Sequence, residues 1–363
     1  MSNEGKFYLG FSNFPGVGPI KFEKLLKYFG SAELAWKSDP KEFGEVAGKS
    51  LISKFETFRK EFDIEKYEEG LVKQKINFVC LHEKEYPTRL KKIKNPPIVL
   101  YSKGKVDFNL EQKLLAVVGT RKITNYGRSI TEMFASELAS QGLIIVSGLA
   151  IGVDGVAHTA SLDSHGITIA VLGNGVDICF PRENQKIYDR ILGGNGAIIS
   201  EYPPGQEPSV GSFPARNRIV AGLSDGILVT EGASDSGSLI TANFGLEFGR
   251  KVFAVPGPIT SSLSAAPLRL IEKGAKLVVG PEDIIKELGI KPSELPKNKK
   301  TFAGLTNEEK KIIELVENES LQFDEIVRRL KLDSSKVGTI LSMMEIKGLI
   351  KNLGGNYSVI SLF

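Results

Sequence analysis

The sequence predicts an α/β protein whose mostly parallel, doubly wound sheet is covered by helices on both faces. Between Val117 and Gly257, short apolar runs are each followed by glycine or a small polar residue and then by an amphipathic stretch. This unit returns about every 25 to 30 residues, the length that a strand and its crossover helix require. Continuous apolar runs are typical of parallel strands buried on both faces. We expect strands near 114–118, 143–147, 168–172, 197–200, 226–230, 251–255 and 276–279.

The first helix of this domain is expected from Gly127 to Gln141. Ile130, Phe134 and Leu138 recur there at i, i+4 and i+8, so one apolar stripe can cover a face of the sheet. Two earlier apolar runs, 76–81 and 97–101, are predicted to lead into or extend the same sheet.

Composition describes a globular protein with more than one core. The chain has 363 residues, 41% hydrophobic and 25% charged, which predicts two or three domains. No apolar run reaches the roughly 18 residues of a membrane span, and the start lacks the pattern of a signal peptide. Cys80 and Cys179 lie in or beside apolar runs, which favours buried free thiols over a disulfide. Free thiols are typical of the reducing cytosol, so we expect a cytoplasmic protein.

Two smaller modules flank the α/β domain. Gly16-Val17-Gly18 between two helical stretches resembles a helix-hairpin-helix motif, whose amides either meet a DNA phosphate or only shape the hairpin. Near the end, Thr306 and Glu309 form a capping-box pattern. Helices at 323–330 and about 334–346 and a glycine-turned hairpin follow, which predicts a winged helix. The predicted domains are a helical module at 1–70, the α/β domain at 71–290, a Pro- and Lys-rich linker at 291–302 and the winged helix at 303–363.

The turn Gly119-Thr120-Arg121 after the first parallel strand is the leading candidate for an anion site. Small residues at a strand end let a phosphate approach the amides that open the next helix, and an arginine adds a bidentate donor. Ser147-Gly148 repeats this pattern after the second strand. The chain has no P-loop sequence and no complete dinucleotide fingerprint, which disfavours NTP hydrolysis and dinucleotide binding. Residues 110–285 carry 14 Lys and Arg against 17 Asp and Glu, so nucleic-acid contacts there require a local cluster of cations.

Two later helix starts are also candidates for binding anions. The first is Arg216-Asn217-Arg218 close to Pro214, and the second is Ser236-Gly237-Ser238. A nucleophilic serine would need a base, and no histidine is near in sequence, so binding is favoured over catalysis. We expect no catalytic residue and no cofactor.

Asp154 and His158 lie four residues apart on one predicted helix. They are either a metal pair or partners in a hydrogen bond on the helix surface. The bond is favoured because no third ligand has suitable spacing, and we expect no metal site.

Taken together, these segments resemble the DprA/Smf family of DNA-processing proteins. The resemblance is carried by the Tyr-Pro…Pro-Pro…Leu-Tyr…Gly pattern of 86–104, by 118–121, 147–150 with 154 and 158, 180–184 and 213–224, and by 236–242 with 255–257. It implies a Rossmann-like protein that binds single-stranded DNA, protects incoming DNA, dimerises through this domain and helps to load the RecA recombinase in natural transformation. The residues that would hold the DNA backbone are Arg121, Arg182, Lys186, Arg216 and Arg218. This chain has Ala266 and Leu268 where the family has glycine and asparagine, so the part of that loop in the site stays open.

The main hypothesis is therefore a non-catalytic single-strand binder dominated by backbone contacts, with Tyr126, Phe180 and Phe213 as candidates for base stacking. The alternative is a Rossmann-like enzyme that binds or hydrolyses nucleotides, for which Glu231 would be the residue to test. A sensor of small nucleotides is a third possibility. The third helix of the terminal domain carries few basic residues, which favours protein contact or a supporting role as much as duplex reading.

Overall fold

A computed structural model describes residues 3–105, 107, 109, 112–194, 196–290, 306–316, 320–346, 349–353 and 355–359. The chain folds as two compact units, residues 1–292 and 293–363. The predicted linker at 291–302 lies outside the described residues, and the predicted boundary between residues 70 and 71 remains a prediction.

Six α-helices precede the sheet in the described residues, in the region where the sequence predicts a helical module. They are α1 (Asn3–Asn13), α2 (Pro19–Phe29), α3 (Ala32–Lys37), α4 (Pro40–Ala47), α5 (Ile52–Glu61) and α6 (Ile64–Lys73). Their core is aromatic: the rings of Phe43 and Phe55 stack at 3.9 Å, and Phe11 packs against both. Gly30 ends α2 with φ +84°, a left-handed conformation that favours glycine. In the hairpin between α1 and α2 Val17 is buried, and DNA contact at this hairpin remains a prediction.

One nine-stranded sheet organises the rest of this unit. Its strands are β1 (Asn77–Cys80), β2 (Val99–Gly104), β3 (Leu114–Val118), β4 (Ile144–Ser147), β5 (Thr168–Val171), β6 (Ala197–Ser200), β7 (Gly226–Val229), β8 (Lys251–Ala254) and β9 (Lys276–Leu277). Their spatial order is β1-β2-β6-β5-β4-β3-β7-β8-β9. The strands from β3 to β9 pair in parallel, and β1 and β2 extend the sheet as antiparallel strands beyond β6. The predicted mostly parallel sheet is confirmed.

Helices cover both faces of the sheet. They are α7 (Thr88–Lys91), α8 (Asn125–Ser140), α9 (Val153–Asp163), α10 (Gln185–Gly193), α11 (Ser212–Leu223), α12 (Ser238–Glu247), α13 (Ala265–Glu272) and α14 (Pro281–Glu287). Leu115 and Val117 of β3 share a core with Phe134 of α8, whereas Ala116 shares the opposite core with Ile219 of α11. Alternate residues of one strand thus face opposite helical layers.

The N-terminal helices pack against β2, and their core continues into that of the sheet. The hydroxyl of Tyr101 on β2 lies 2.7 Å from that of Ser12 and accepts a bond from the Asn13 amide at 3.2 Å. Burial raises the pKa of Tyr101 well above its usual value. These helices therefore belong to the same compact unit as the sheet.

The second unit is a winged helix, as predicted. It contains α15 (Asn307–Val316), β10 (Leu321–Gln322), α16 (Phe323–Leu330), α17 (Ser334–Ile346), β11 (Ile350–Leu353) and β12 (Asn356–Val359), with strand order β10-β12-β11. The capping box is present: the Thr306 amide donates to the Glu309 carboxylate at 2.8 Å, and the Glu309 amide donates to the Thr306 hydroxyl at 3.2 Å. The short strand β10 was not predicted.

Candidate functional site

The crevice between β3 and β7 is the topological switch point of the sheet. After β3 the chain continues through α8 on one face, and after β7 it continues through α12 on the other. Ligands of open α/β sheets bind outside the carboxyl ends of the strands at such a point. The Thr120 amide donates to the Glu231 carbonyl at 2.8 Å and ties the two strand ends together.

The turn Gly119-Thr120-Arg121 presents its arginine and little else to solvent. Gly119 is required sterically, because a Cβ there would lie 2.5 Å from Val153 and 2.7 Å from the Glu231 carbonyl. Thr120 is buried, and its hydroxyl accepts from the Lys122 amide at 3.1 Å. Arg121 is exposed. The anion-binding capacity of this turn therefore resides in the Arg121 side chain rather than in the backbone of the turn.

The chain's own carboxylate occupies the first turn of α8. Thr124 caps this helix, and its hydroxyl accepts from the Gly127 amide at 3.0 Å. Glu231, only 4% exposed, accepts from the Thr124 amide at 3.0 Å and from the Thr124 hydroxyl at 2.6 Å. A Cβ on Gly127 would lie 2.0 Å from the Glu231 carboxylate. Glu231 supplies the negative charge here, so the geometry does not favour the expected approach of a phosphate to the amides at this helix start.

A second internal carboxylate occupies the turn after β4. Asp154 accepts from the amides of Gly148 at 3.1 Å and Ala150 at 3.3 Å. The buried Ser147 hydroxyl donates to the Val117 carbonyl at 2.7 Å. Since these polar groups point inward, the geometry does not support the predicted phosphate contacts of Ser147 and Gly148.

Arg216 lies beneath the same turn rather than at the surface. It is 5% exposed, and its guanidinium donates to the Gly148 carbonyl at 2.7 Å and to the Val171 carbonyl. Burial lowers the pKa of Arg216, and the nearby Asp154 carboxylate opposes that effect. Burial raises the pKa of Asp154, which Arg216 in turn opposes. Arg216 is a positioning residue of the turn, so the geometry does not favour its predicted contact with DNA, which stays a prediction.

Arg218 is also engaged within the fold. Its guanidinium forms a two-pronged pair with Glu201, one arm at 2.6 Å, and it donates to the carbonyls of Asn95 at 3.0 Å and Ala215 at 2.9 Å. Both charged side chains are about nine-tenths buried. These partners satisfy the guanidinium, so the geometry does not favour the predicted role of Arg218 as a phosphate ligand, which stays a prediction. Asn217, between the two arginines, is half-buried and donates to the Gly237 carbonyl at 3.4 Å.

The start of α12 differs from that of α8. Its N-cap is the exposed Gly237, which provides no side-chain cap. The hydroxyls of Ser236 and Ser238 lie 2.8 Å apart, and the Ser238 amide donates to the Ser236 hydroxyl at 3.3 Å. The predicted anion contact at Ser236, Gly237 and Ser238 therefore remains a prediction compatible with the geometry.

Two aromatic rings lie beside Arg121. Its guanidinium carbon lies 5.8 Å from the centre of the Phe213 ring, and the Phe213 and Phe180 rings are 5.5 Å apart. Arg182 and Lys186, in the segment after β5, are exposed. The predicted cations Arg121, Arg182 and Lys186 are thus exposed, and Arg121 lies beside a pair of rings, a combination suited to an anionic, base-bearing chain.

Asn184 joins the segments after β4 and β5 and was not identified from the sequence. Its amide donates to the carbonyls of Leu149 at 2.9 Å and Ala150 at 3.0 Å. Leu149 has φ +57°, a left-handed conformation that this clamp and Asp154 stabilise together. The sequence signal for this clamp was limited to the position of Asn184 in the segment 180–184, which resembles the DprA/Smf family.

Asp154 and His158 are buried rather than placed on a helix surface, and each has its own partner. The Nδ1 atom of His158 lies 2.7 Å from the hydroxyl of Thr168, which itself donates to the Ile145 carbonyl at 2.8 Å. His158 therefore donates through Nδ1, and burial lowers its pKa to about 3. No group of three or more metal-ligating residues occurs in the part of the chain that the structure describes.

Within the described ranges, no helix is long and apolar enough to cross a membrane. Both cysteines are free, as the sequence predicts.

Comparison with known proteins places this geometry in a family. Residues 77–289 match the family model for DNA recombination-mediator protein A, and residues 296–356 match the DprA winged helix domain. A Synechocystis protein named Smf is 37% identical over 296 residues, covering 80% of this chain and 74% of its own length. The DNA processing protein DprA of Bacillus subtilis is 42% identical over 215 residues, covering 59% of this chain and 72% of its own length.

Two solved structures are also similar. The X-ray structure of DprA from Streptococcus pneumoniae has TM-score 0.68 and 35% identity, covering 79% of this chain and 98% of that one. DprA from Helicobacter pylori, described in terms of its single-stranded DNA binding mode, has TM-score 0.53 and 32% identity, covering 59% of this chain and 95% of that one. By its two family models and the shared fold, this chain belongs to the DprA/Smf family of DNA recombination-mediator proteins.

Proposed function

We propose that this chain binds single-stranded DNA, without catalysing a reaction on it, along the carboxyl edge of the sheet. The observation that carries the proposal is the position of Arg121, exposed at the switch point and beside the Phe213 and Phe180 rings. The guanidinium can hold a phosphate while the rings stack on bases. Arg182 and Lys186 add exposed cations after β5, and the exposed Gly237 opens α12.

Binding to fluorescent oligonucleotides at several salt concentrations tests this proposal. Arg121→Glu should abolish measurable binding in moderate salt, because it replaces a phosphate ligand by a repulsive charge. The matched control is Arg190→Glu, in the last turn of α10 and therefore at the opposite edge of the sheet. Wild-type affinity in the Arg121→Glu protein would refute the proposed site.

The alternative, a nucleotide-hydrolysing enzyme, would require a free general base at the switch point. Glu231 is buried, and both of its carboxylate oxygens accept bonds from Thr124, so it is poorly placed for this role. Release of free base from nucleoside monophosphates by the wild-type protein, lost in Glu231→Gln, would favour the enzyme instead.

We further propose that the protein acts in the cytoplasm, protects the bound strand and helps to load RecA during natural transformation. Family membership supports this role. Nuclease digestion of the bound strand and RecA-dependent strand exchange on DNA coated with single-strand-binding protein test the two parts separately. Acceleration of strand exchange by wild-type protein, but not by Arg121→Glu, is the expected result.

We also propose a homodimer through the α/β domain. Among the residues that the structure describes, β9 ends the sheet, and Leu277 and Val279 beside its open edge are 46% and 71% exposed. Exposed apolar side chains at an unpaired sheet edge favour pairing with a second copy. Light scattering should give a dimer mass for wild type and a monomer mass for Leu277→Glu with Val279→Glu. Ile20→Glu, at an exposed apolar position on α2, should leave the dimer intact.

A further inference from the structure

The carboxyl edge of the sheet carries a regular series of exposed apolar side chains. Each of the six consecutive parallel strands from β6 across to β8 is followed, before or within the first turn of the next helix, by one large apolar residue that solvent reaches. In spatial order across the sheet these are Val210, Phe180, Ile151, Tyr126, Ile240 and Ile259. Two are aromatic and were expected to stack on bases. The other four, Ile151, Val210, Ile240 and Ile259, are named the aliphatic row.

The aliphatic row belongs to one connected surface because hydrogen bonds join neighbouring loops. The Gly175 amide after β5 donates to the Gln206 carbonyl after β6 at 2.9 Å. The Gly232 amide after β7 donates to the Leu263 carbonyl after β8 at 2.7 Å.

The central loops are connected in the same way. A Cβ on Gly152, next to Ile151, would lie 2.3 Å from the Thr120 carbonyl, so the β4 loop touches the Arg121 turn. The Tyr126 hydroxyl donates to the Pro256 carbonyl at 2.7 Å and joins the β3 and β8 loops. Neighbouring strands lie roughly 5 Å apart, and successive members of the aliphatic row follow strands that are one or two positions apart in the sheet.

The composition of this edge suits a base-bearing chain better than a protein partner. The cores of protein interfaces are continuous apolar patches depleted in charge. Here the aliphatic side chains are separated by glycine and serine, and the exposed Arg121 and Arg182 lie in the same series of loops. A single strand of nucleic acid has the complementary composition, since its anionic phosphates alternate with flat bases of low polarity.

We propose that the aliphatic row contacts the faces of unpaired bases while Arg121 and its neighbouring cations hold the phosphates. The inference rests on the proposed function. It adds a physical reason why the protein would bind single-stranded DNA in preference to a duplex. In a duplex the faces of the bases are stacked on one another and cannot reach the row. Phosphate contacts alone would not make that distinction.

Oligonucleotides with and without bases provide the test. Wild-type protein is titrated with an oligothymidylate of about 12 nucleotides and with an abasic oligomer carrying the same number of phosphates. We expect the abasic oligomer to bind at least roughly ten-fold more weakly, because only phosphate contacts remain. Ile151→Ser combined with Ile259→Ser should weaken oligothymidylate binding by roughly ten-fold and leave abasic binding unchanged.

Leu34→Ser combined with Val72→Ser is the matched control, since both residues are highly exposed but lie on the N-terminal helices. It should leave both affinities at their wild-type values. Equal wild-type affinity for the two oligomers would overturn the inference and leave the proposed function standing, whereas failure to bind either oligomer would refute the proposed function itself. An equal loss of both affinities in the Ile151/Ile259 variant would also overturn the inference.

Discussion

Both carboxylate oxygens of Glu231 accept hydrogen bonds from Thr124, one from its amide at 3.0 Å and one from its hydroxyl at 2.6 Å. This contact puts a buried negative charge at the start of α8, where nucleotide-binding relatives of the fold place a phosphate. In the same way, the buried carboxylate of Asp154 accepts hydrogen bonds from the Gly148 and Ala150 amides after β4. Two of the predicted anion sites are thus occupied by the chain's own carboxylates, which leaves the exposed side chains for the proposed contact with a DNA strand.

Glu231→Gln should bind single-stranded DNA more tightly than wild type. The substitution keeps the shape of the side chain and removes a negative charge beneath the Arg121 turn. We expect a gain of about two- to five-fold at low salt that disappears at high salt, because the repulsion is screened. Titration over a series of salt concentrations measures it.

Asp225→Asn is the control for Glu231→Gln. Asp225 lies just before β7, at the opposite edge of the sheet, and its loss changes net charge equally. We expect no gain in affinity from this variant. Equal gains in the two variants would mean that net charge, rather than the position of Glu231, limits binding.

Arg121→Gln should reduce the salt dependence of binding. Each phosphate contact releases counterions, so the slope of log K against log salt should become less steep by about one. Stability should change little, because Arg121 is exposed. An unchanged slope with a lower melting temperature would instead assign Arg121 a structural role.

Arg218→Met should lower the stability of the protein and leave the salt dependence of DNA binding unchanged. Removing the guanidinium leaves Glu201 as a buried, unpaired charge, which costs about 3 to 5 kcal/mol of unfolding free energy. The salt dependence of DNA binding should stay that of wild type, since Arg218 is already paired. Denaturant unfolding and oligonucleotide titration of the same sample separate the two effects.

Glu201→Leu, added to Arg218→Met, should restore part of the lost stability because it removes the unpaired charge. Recovery should be incomplete, since the Asn95 and Ala215 carbonyls still lose their donor. A less steep salt dependence in Arg218→Met without loss of stability would return Arg218 to the set of phosphate ligands.

The sheet was predictable because the central parallel strands, such as β3, are continuous buried apolar runs. The prediction of a strand at 197–200 matches Ala197–Ser200, and that of a helix at 127–141 differs from Asn125–Ser140 by one or two residues. The N-terminal cap of α15 could also be predicted from the sequence, as the hydrogen bonds between Thr306 and Glu309 show. These features depend on residues close together in the chain.

The contacts of Arg216 and Arg218 could not be predicted from local sequence patterns. Arg216 and Arg218 lie in an apolar helix buried on several sides, and their partners come from β-strand ends elsewhere in the chain. Glu231 and Thr124 are 107 residues apart, so no local pattern pairs them. Hydrophobic periodicity predicts which faces are buried, but it does not show which carboxylate meets which helix start. The aliphatic row was missed because single exposed isoleucines have no distinctive sequence signal.

His158 should make folding stability depend on pH. Its pKa is about 3 in the folded protein, where burial disfavours the charged ring, and near 6.5 in the unfolded chain. The unfolded state therefore binds the additional proton between these values, so stability is fully present above pH 6.5 and falls as the pH is lowered through this window. The slope attributable to this residue approaches about 1.4 kcal/mol per pH unit.

His158→Asn should remove this slope while its amide still donates to Thr168. The measurement is the difference in unfolding free energy between wild type and variant at several pH values from 7 down to about 4.5, where both remain folded. Taking the difference matters because the raised pKa of Asp154 has the opposite sign: the folded state holds that proton more tightly, so this group favours folding as the pH falls. A constant difference across the window would show that His158 is not buried in its neutral form. A difference that shrinks steadily as the pH falls would confirm it, because the wild type alone pays for keeping the ring uncharged.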